Sequence, residues 1–382
     1  MDLLTIIEIA ILSLAIIIGS ILASAVAEAL QYKHSDTLIA CIIALLQTLP
    51  EYAIVVAWSL DGHLDIALAS IIGANVLLLA FGISSVIIFA YLAGVKGIRN
   101  DKALDLMREN SLESIFLALS GLYMIIIGLK GYIDLIDSIL LLFMFVFYTW
   151  LTTRLPPEVE FGEPHGLARK FLDRKALSIT VIVLSILIIG ISGELFAETF
   201  VHVIGVIAVS PLLLAAVISP IVAELPEKLI AYMMAFKNED LARLGILNFM
   251  SSRINNGTLL FSSMFFATII AGHLSIFEHV IIPRDLTALL LLAGLLSIFG
   301  AITTVDRKIT VPESIVLMVV YAISMYAIEV PHYAYVVCIV LLVLTIFVIT
   351  NAAKYKRFFW IEDLKYTLNL AFRRVEYQHP QD

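Results

Sequence analysis

With 382 residues, 61% of them apolar and only 15% charged, this chain carries far too little charge for a water-soluble surface. Its net charge of −8 says little until it is divided between the two sides of a membrane. The two cysteines, Cys41 and Cys338, both stand inside apolar segments, so buried thiols are expected and a disulfide framework is not.

Apolar runs of about 20 residues, long enough to cross the hydrocarbon of a bilayer, recur along almost the whole sequence. Eleven spans are predicted, at 3–30, 36–60, 64–93, 111–129, 132–152, 176–199, 203–236, 241–271, 285–304, 312–329 and 332–352. The first is read as a retained span. It is too long for a signal core, and Asp2 stands where a basic leader would begin. Connections are short, and the longest, Arg154 to Lys175, carries Pro156, Pro157, Gly162 and Pro164, which is ordinary loop chemistry.

Basic residues orient the spans. Loops after odd-numbered spans, together with the tail, hold 19 of the 24 Lys and Arg. Such a bias marks the cytoplasmic side. It predicts an external N-terminus and a cytoplasmic C-terminus, with an odd number of crossings between them. The tail from Lys354 places Phe358, Trp360, Leu364 and Leu368 among Lys356, Arg357 and Lys365. An amphipathic helix on the inner leaflet is expected there.

Two stretches share a signature that is out of place in lipid: Gln47-Thr48-Leu49-Pro50-Glu51 and Ala223-Glu224-Leu225-Pro226-Glu227. Proline removes a backbone donor, and an intramembrane carboxylate is by default a functional residue with a cation as its partner. Each stretch lies in the second span of a five-span unit, and is followed by a short polar turn and another long segment. Five spans per unit force the halves into opposite orientations, so two broken helices are expected to meet at the midplane. A hard divalent cation takes six or more oxygens. Glu51 and Glu227 can supply carboxylates, while Thr48 and Gln47, one turn before Glu51, add neutral oxygens. On the next span Gly73-Ala74-Asn75 offers a small residue for close helix approach and an amide ligand.

These residues resemble the cation/Ca2+ exchanger superfamily, whose first repeat reads G-T-S-L-P-E and then G-S-N-I. Leu46-Gln47-Thr48-Leu49-Pro50-Glu51 and Gly73-Ala74-Asn75-Val76 stand in those positions. The second repeat, Pro220 to Lys228, is similar to both the sodium-coupled and the proton-coupled branch. The resemblance implies a sodium/calcium exchanger-like fold, with spans 1 and 6 sliding across a fixed core. It also implies Ca2+ and the driving ion alternating on Glu51 and Glu227, with Thr48 and Asn75 as further ligands. Gln47 replaces the family threonine, and Ala223 and Glu224 replace a hydroxyl pair, which adds a third acid. The second G-S-N motif has two readings. Without gaps Ser251 takes the asparagine position and Ser252 follows it. With a two-residue insertion Asn248, Ser252, Ile254 and Asn256 fall into place and Arg253 takes the ligand position. Arg253 then becomes a built-in counter-ion for Glu224; alternatively Lys228 and Arg253 snorkel or pair structurally.

The expectation is therefore an all-α polytopic membrane protein of about 11 transmembrane helices, with two inverted five-helix repeats at 1–153 and 176–330. A cytoplasmic linker at 154–175, an extra helix at 331–353 and a basic tail at 354–382 complete it. The expected activity is antiport of Ca2+ or a related divalent cation against Na+, with H+ coupling, or cation binding without transport, as the alternatives. The partners are metal cations and the bilayer. No phosphate loop, no paired histidines and no nucleophile with a base are legible, so no cofactor and no enzymatic step are expected.

Overall fold

The computed structural model describes residues 3–33, 37–155, 167–172, 174–204, 211–236, 238–330, 332–355 and 357–372. Fifteen α-helices run through them. Helices α1 (Leu3–Lys33) and α2 (Thr37–Leu60) are followed by α3 (Leu64–Val76), a π-helical stretch at Leu77–Ile83, and α4 (Ser84–Leu92). The short α5 (Lys96–Asp101) leads to α6 (Ser111–Lys130) and α7 (Leu135–Thr152). The second half repeats this order. Helices α8 (Lys175–Ile204) and α9 (Pro211–Ala235) precede α10 (Glu239–Asn255), a π-helical stretch at Asn256–Leu260, and α11 (Phe261–Ile270). Then come α12 (Arg284–Thr303), α13 (Val311–Glu329), α14 (His332–Lys354) and α15 (Trp360–Phe372).

Among the described residues, eight helices are long and apolar enough to cross a membrane. Of the Leu64–Leu92 stretch 89% is buried inside the bundle, against 28% for the corresponding stretches of α1, α7, α8 and α14. The second group exposes Ile11, Leu14, Ile179, Leu187, Ile339 and Phe347. Apolar side chains in that number on the outside of a helical bundle belong against lipid. The hydropathy-based spans 2, 7 and 8 correspond to α2, α9 and the α10–α11 rod, which pack toward the centre.

The expectation of two helices broken at Leu-Pro-Glu is corrected. Helix α2 continues through Pro50, and α9 runs without interruption from Pro211 to Ala235. One missing donor is tolerated where neighbouring helices support the turn. The irregularity falls instead in the following rods, as two π-helical segments, a form in which i→i+5 bonding shifts the phase of the helix and which is frequent at functional sites.

Two short antiparallel ribbons tie the halves together. Strand β1 (Ala103–Asp105) pairs with β4 (Lys308–Thr310), and β2 (Tyr132–Ile133) pairs with β3 (Val280–Ile281). Each ribbon joins the link before the fourth long segment of one half to the link after it in the other. Local capping fixes where the flanking helices start. Asp134 and Asp137 close a capping box on α7, and Thr310 and Glu313 close one on α13. Lys130 pairs with both aspartates at 2.8 and 2.5 Å. Lying outside the spans, Asp134 is held below the usual carboxylate range: partial burial opposes the charge, but the Lys130 ammonium and the cap bonds outweigh it.

Backbone contact sets the closest crossings. Between α6 and α12, a Cβ built on Gly121 would lie 2.6 Å from the carbonyl oxygen of Gly294, and one on Gly294 2.7 Å from that of Gly121. Gly73 of α3 lies directly on the carbonyl of Ala216 in α9, with no room for a methyl group. Beside it Ser70 and Ser219 hydrogen-bond across the same pair at 3.0 Å.

Helix α15 forms where the basic tail predicts an amphipathic helix, and it is fastened to the bundle end. Its buried Asp363 accepts from Arg307 Nε at 2.7 Å, with Arg108 at 4.0 Å. Ile361, Tyr366 and Phe372 remain exposed along its other side.

Candidate functional site

Apolar packing leaves few polar side chains in the centre, and those present concentrate where α2, α9 and the α10–π junction meet. Thr48, Glu51 and Tyr52 lie within one turn of α2 and so share a face. Across from them, Asn255 and Asn256 close α10 and open the π segment. Asn255 Nδ2 donates to Thr48 Oγ1 at 2.9 Å, and Tyr52 OH donates to Asn255 Oδ1 at 2.7 Å. Asn256 Nδ2 donates to Glu51 Oε2 at 2.6 Å and to Glu224 Oε1 at 3.1 Å. The same amide nitrogen thus draws together one carboxylate from α2 and one from α9. On the far side of Glu224, Lys228 Nζ reaches Oε2 at 2.7 Å. A continuous chain results: Lys228, Glu224, Asn256, Glu51. All four side chains are buried.

The Oδ1 atoms of Asn256 and Asn75 have no hydrogen-bond partner among the described residues. A buried acceptor left open costs free energy unless something positive fills the place. Amide oxygens beside carboxylates are the ligand set of a hard cation. Among the described residues no group of three or more His, Cys, Asp or Glu forms.

The residues expected from sequence distribute as follows. Thr48, Glu51 and Glu224 are brought together. The side chains of Gln47 and Glu227 lie outside the described residues. Asn75 is buried, but its Nδ2 donates to Ile71 O in its own helix at 2.8 Å, and no hydrogen bond joins it to Glu51 or Glu224 among the described residues. Ser251 and Arg253, which the two readings of the second motif place at the ligand position, hydrogen-bond elsewhere. Ser251 bonds the hydroxyl of Tyr148 at 2.7 Å, and Ser252 is buried on α10. Arg253 is fully buried on another side of the rod, where it donates to Ser297 Oγ, to Met124 Sδ at 3.0 Å and to Ala293 O at 3.4 Å. It does not pair Glu224; Lys228 does. Helix α10 stays α-helical to Asn255, and it is the two asparagines at its junction with the π segment that reach α2.

Asn255 and Tyr52 are not among the expected residues, and Asn256 enters only through the two-residue insertion, which puts Arg253 rather than Asn256 in the ligand position. Two signals for the centre stood in the sequence. Adjacent asparagines inside an apolar rod are rare, and Glu224 and Lys228 stand at i, i+4, the spacing of a helical ion pair.

Residues 4–154 and 177–330 match the family model described as sodium/calcium exchanger protein. The chain belongs to the sodium/calcium exchanger family. Solved structures share the exchanger's fold. The H+/Ca2+ exchanger CAX superposes with a TM-score of 0.84 at 22% identity, covering 96% of this chain and 91% of that one. Native YfkE gives 0.60 at 15%, covering 84% and 91%. The sodium-calcium exchanger NCX_Mj gives 0.56 at 17%, covering 86% and 99%. No curated protein matches the exchanger's sequence. The exchanger is thus a mostly helical, multi-pass membrane protein of the Ca2+/cation exchanger superfamily, a family of transporters rather than enzymes.

Proposed function

We propose that this exchanger is a secondary active antiporter that carries a divalent cation of the Ca2+ class at Glu51 and Glu224, with protons as the counter-ion. The observation that carries the reading is the single amide nitrogen, Asn256 Nδ2, to which both buried carboxyl groups are hydrogen-bonded. Two carboxyls this close cannot both stay ionised without something positive between them. A proton fills that role in one limb of a cycle, and a divalent cation in the other. Thr48, Asn255, Asn256 and Asn75 supply the neutral oxygens that a hard cation needs beyond its carboxylates, and Glu227 is the further carboxylate in this reading. Proton and Ca2+ then compete for one place, so uptake strengthens as the pH rises.

Na+ as the driving ion is the second reading. The two Leu-Pro-Glu stretches and the neutral oxygens of Thr48, Tyr52 and Asn255 favour it. Uptake of labelled Ca2+ by proteoliposomes, under a pH gradient and then under a Na+ gradient, separates the two. Flux driven by protons without Na+ supports the first; flux that needs Na+ and ignores the pH gradient replaces it with the second.

The transport cycle proposed here uses two inverted repeats, 1–153 and 176–330, with the linker at 154–175, the extra helix at 331–353 and the tail at 354–382 outside them. The N-terminus is external and the C-terminus cytoplasmic in this scheme. Helices α1 and α8 pack against each other at the outside of the core, which suits a sliding pair that opens the centre to one side at a time.

A further inference from the structure

We infer that Lys228 is a tethered counter-cation of the exchange cycle. Its ammonium holds Glu224 when the divalent cation is absent and releases that carboxylate when the cation binds. The inference rests on the reading of the Glu51–Glu224 centre as the transport site.

Three observations carry it. First, the Lys228–Glu224 pair is not a surface ion pair: the side chains are 6% and 4% exposed, and the contact is 2.7 Å. Second, the pair is the end of the chain that reaches the site, because the other oxygen of Glu224 accepts from Asn256, which also donates to Glu51. An ion-binding carboxylate with one oxygen already given to an ammonium cannot offer both to a metal ion. Third, the two residues sit one turn apart on α9, so the flexible lysine stem lets the ammonium swing off Glu224 without moving the helix. The other fully buried cation nearby, Arg253, donates to Ser297, Met124 and Ala293 O and is anchored away from this carboxylate.

The consequence is a charge count. Glu51, Glu224 and Lys228 together carry one negative charge, and whatever Glu227 adds, the Lys228 ammonium lowers by one the number of monovalent cations or protons that the empty centre carries back. Without the lysine, Glu224 takes up one more on that limb and gives it up again when the divalent cation binds. The divalent cation carried on the bound limb is the same. A static structural pair behaves differently: Glu224 would then stay neutralised in both limbs, and the charge moved per cycle would not change.

The test is the null-point stoichiometry of labelled Ca2+ flux in proteoliposomes, with the counter-ion gradient and voltage imposed. Lys228→Met is expected to exchange one additional monovalent counter-ion per Ca2+, so that the net charge moved per cycle falls by one, and to bind Ca2+ about ten-fold more tightly, a shift of one decade in the dissociation constant. Lys228→Arg keeps the charge and the fold. Because a guanidinium grips a carboxylate through two hydrogen bonds and lets go less readily, it is expected to keep the wild-type charge per Ca2+ and to lose about ten-fold in apparent affinity. Wild-type stoichiometry in Lys228→Met, or, where that variant does not fold, wild-type affinity in Lys228→Arg, overturns the inference. Absence of Ca2+ flux in the wild-type protein under every gradient overturns the transport reading itself, which is a separate result.

Discussion

The rods α3–π–α4 and α10–π–α11 occupy the same place in the two halves, and they contribute to the centre by different means. The first gives backbone proximity. Gly73 lets α3 lie on the Ala216 carbonyl of α9, while the Asn75 amide bonds back into its own helix. The second gives side chains: Asn255 clasps Thr48 and Tyr52, and Asn256 bridges Glu51 and Glu224. Matching position along the chain therefore does not mean matching chemistry. Of these two rods one contributes a close backbone approach and the other hydrogen-bonding side chains.

Four substitutions break or sharpen that comparison. Glu51→Gln removes one of the two carboxylates that the second rod bridges. It is expected to lower Ca2+ uptake by about 100-fold or more while the protein still elutes as a folded species, because a neutral amide cannot replace an intramembrane charge on a divalent cation. Asn256→Ala removes the bridge and keeps both acids. A hydrogen bond to a charged group contributes about 1.5–3 kcal/mol, which corresponds to a loss of about ten-fold or more in apparent affinity. Retention of wild-type affinity would move the bridging role elsewhere. Gly73→Ala leaves every ligand in place and attacks the approach of the first rod. Overpacking there should cost about 1–3 kcal/mol, read as a lower midpoint of thermal unfolding in detergent. An unchanged midpoint would contradict backbone contact with Ala216. Arg253→Met is the mildest. Replacing a buried charge by an apolar chain of similar length is often neutral or stabilising, so exchange stoichiometry should stay as in wild type and the unfolding midpoint should not fall. A changed stoichiometry would return Arg253 to the centre.

The membrane architecture was legible because bilayer thickness dictates apolar run lengths. The Leu-Pro-Glu stretches stood out because proline and carboxylate are both costly in lipid. What sequence counting could not give was the phase of the second rod. Ser251 and Arg253 stand in regular helix before the π segment, and which face of α10 turns toward α2 is set by packing between helices, which residue spacing does not record. The identity of the lysine partner follows the same lesson. Arg253 was the more conspicuous buried cation in sequence, yet Lys228 holds Glu224, because an i, i+4 pair on one helix needs no guess about how two helices rotate. Proline, finally, overstated the break: α2 continues through Pro50, since the packed bundle tolerates one missing donor.

The most direct measurement is labelled Ca2+ uptake into proteoliposomes holding wild-type protein or Glu51→Gln, driven by an outward proton gradient and repeated across a range of pH. The account predicts wild-type uptake that strengthens with rising pH, and none above background for Glu51→Gln. Equal uptake by the two proteins would contradict the assignment of the carboxylate centre as the transport site.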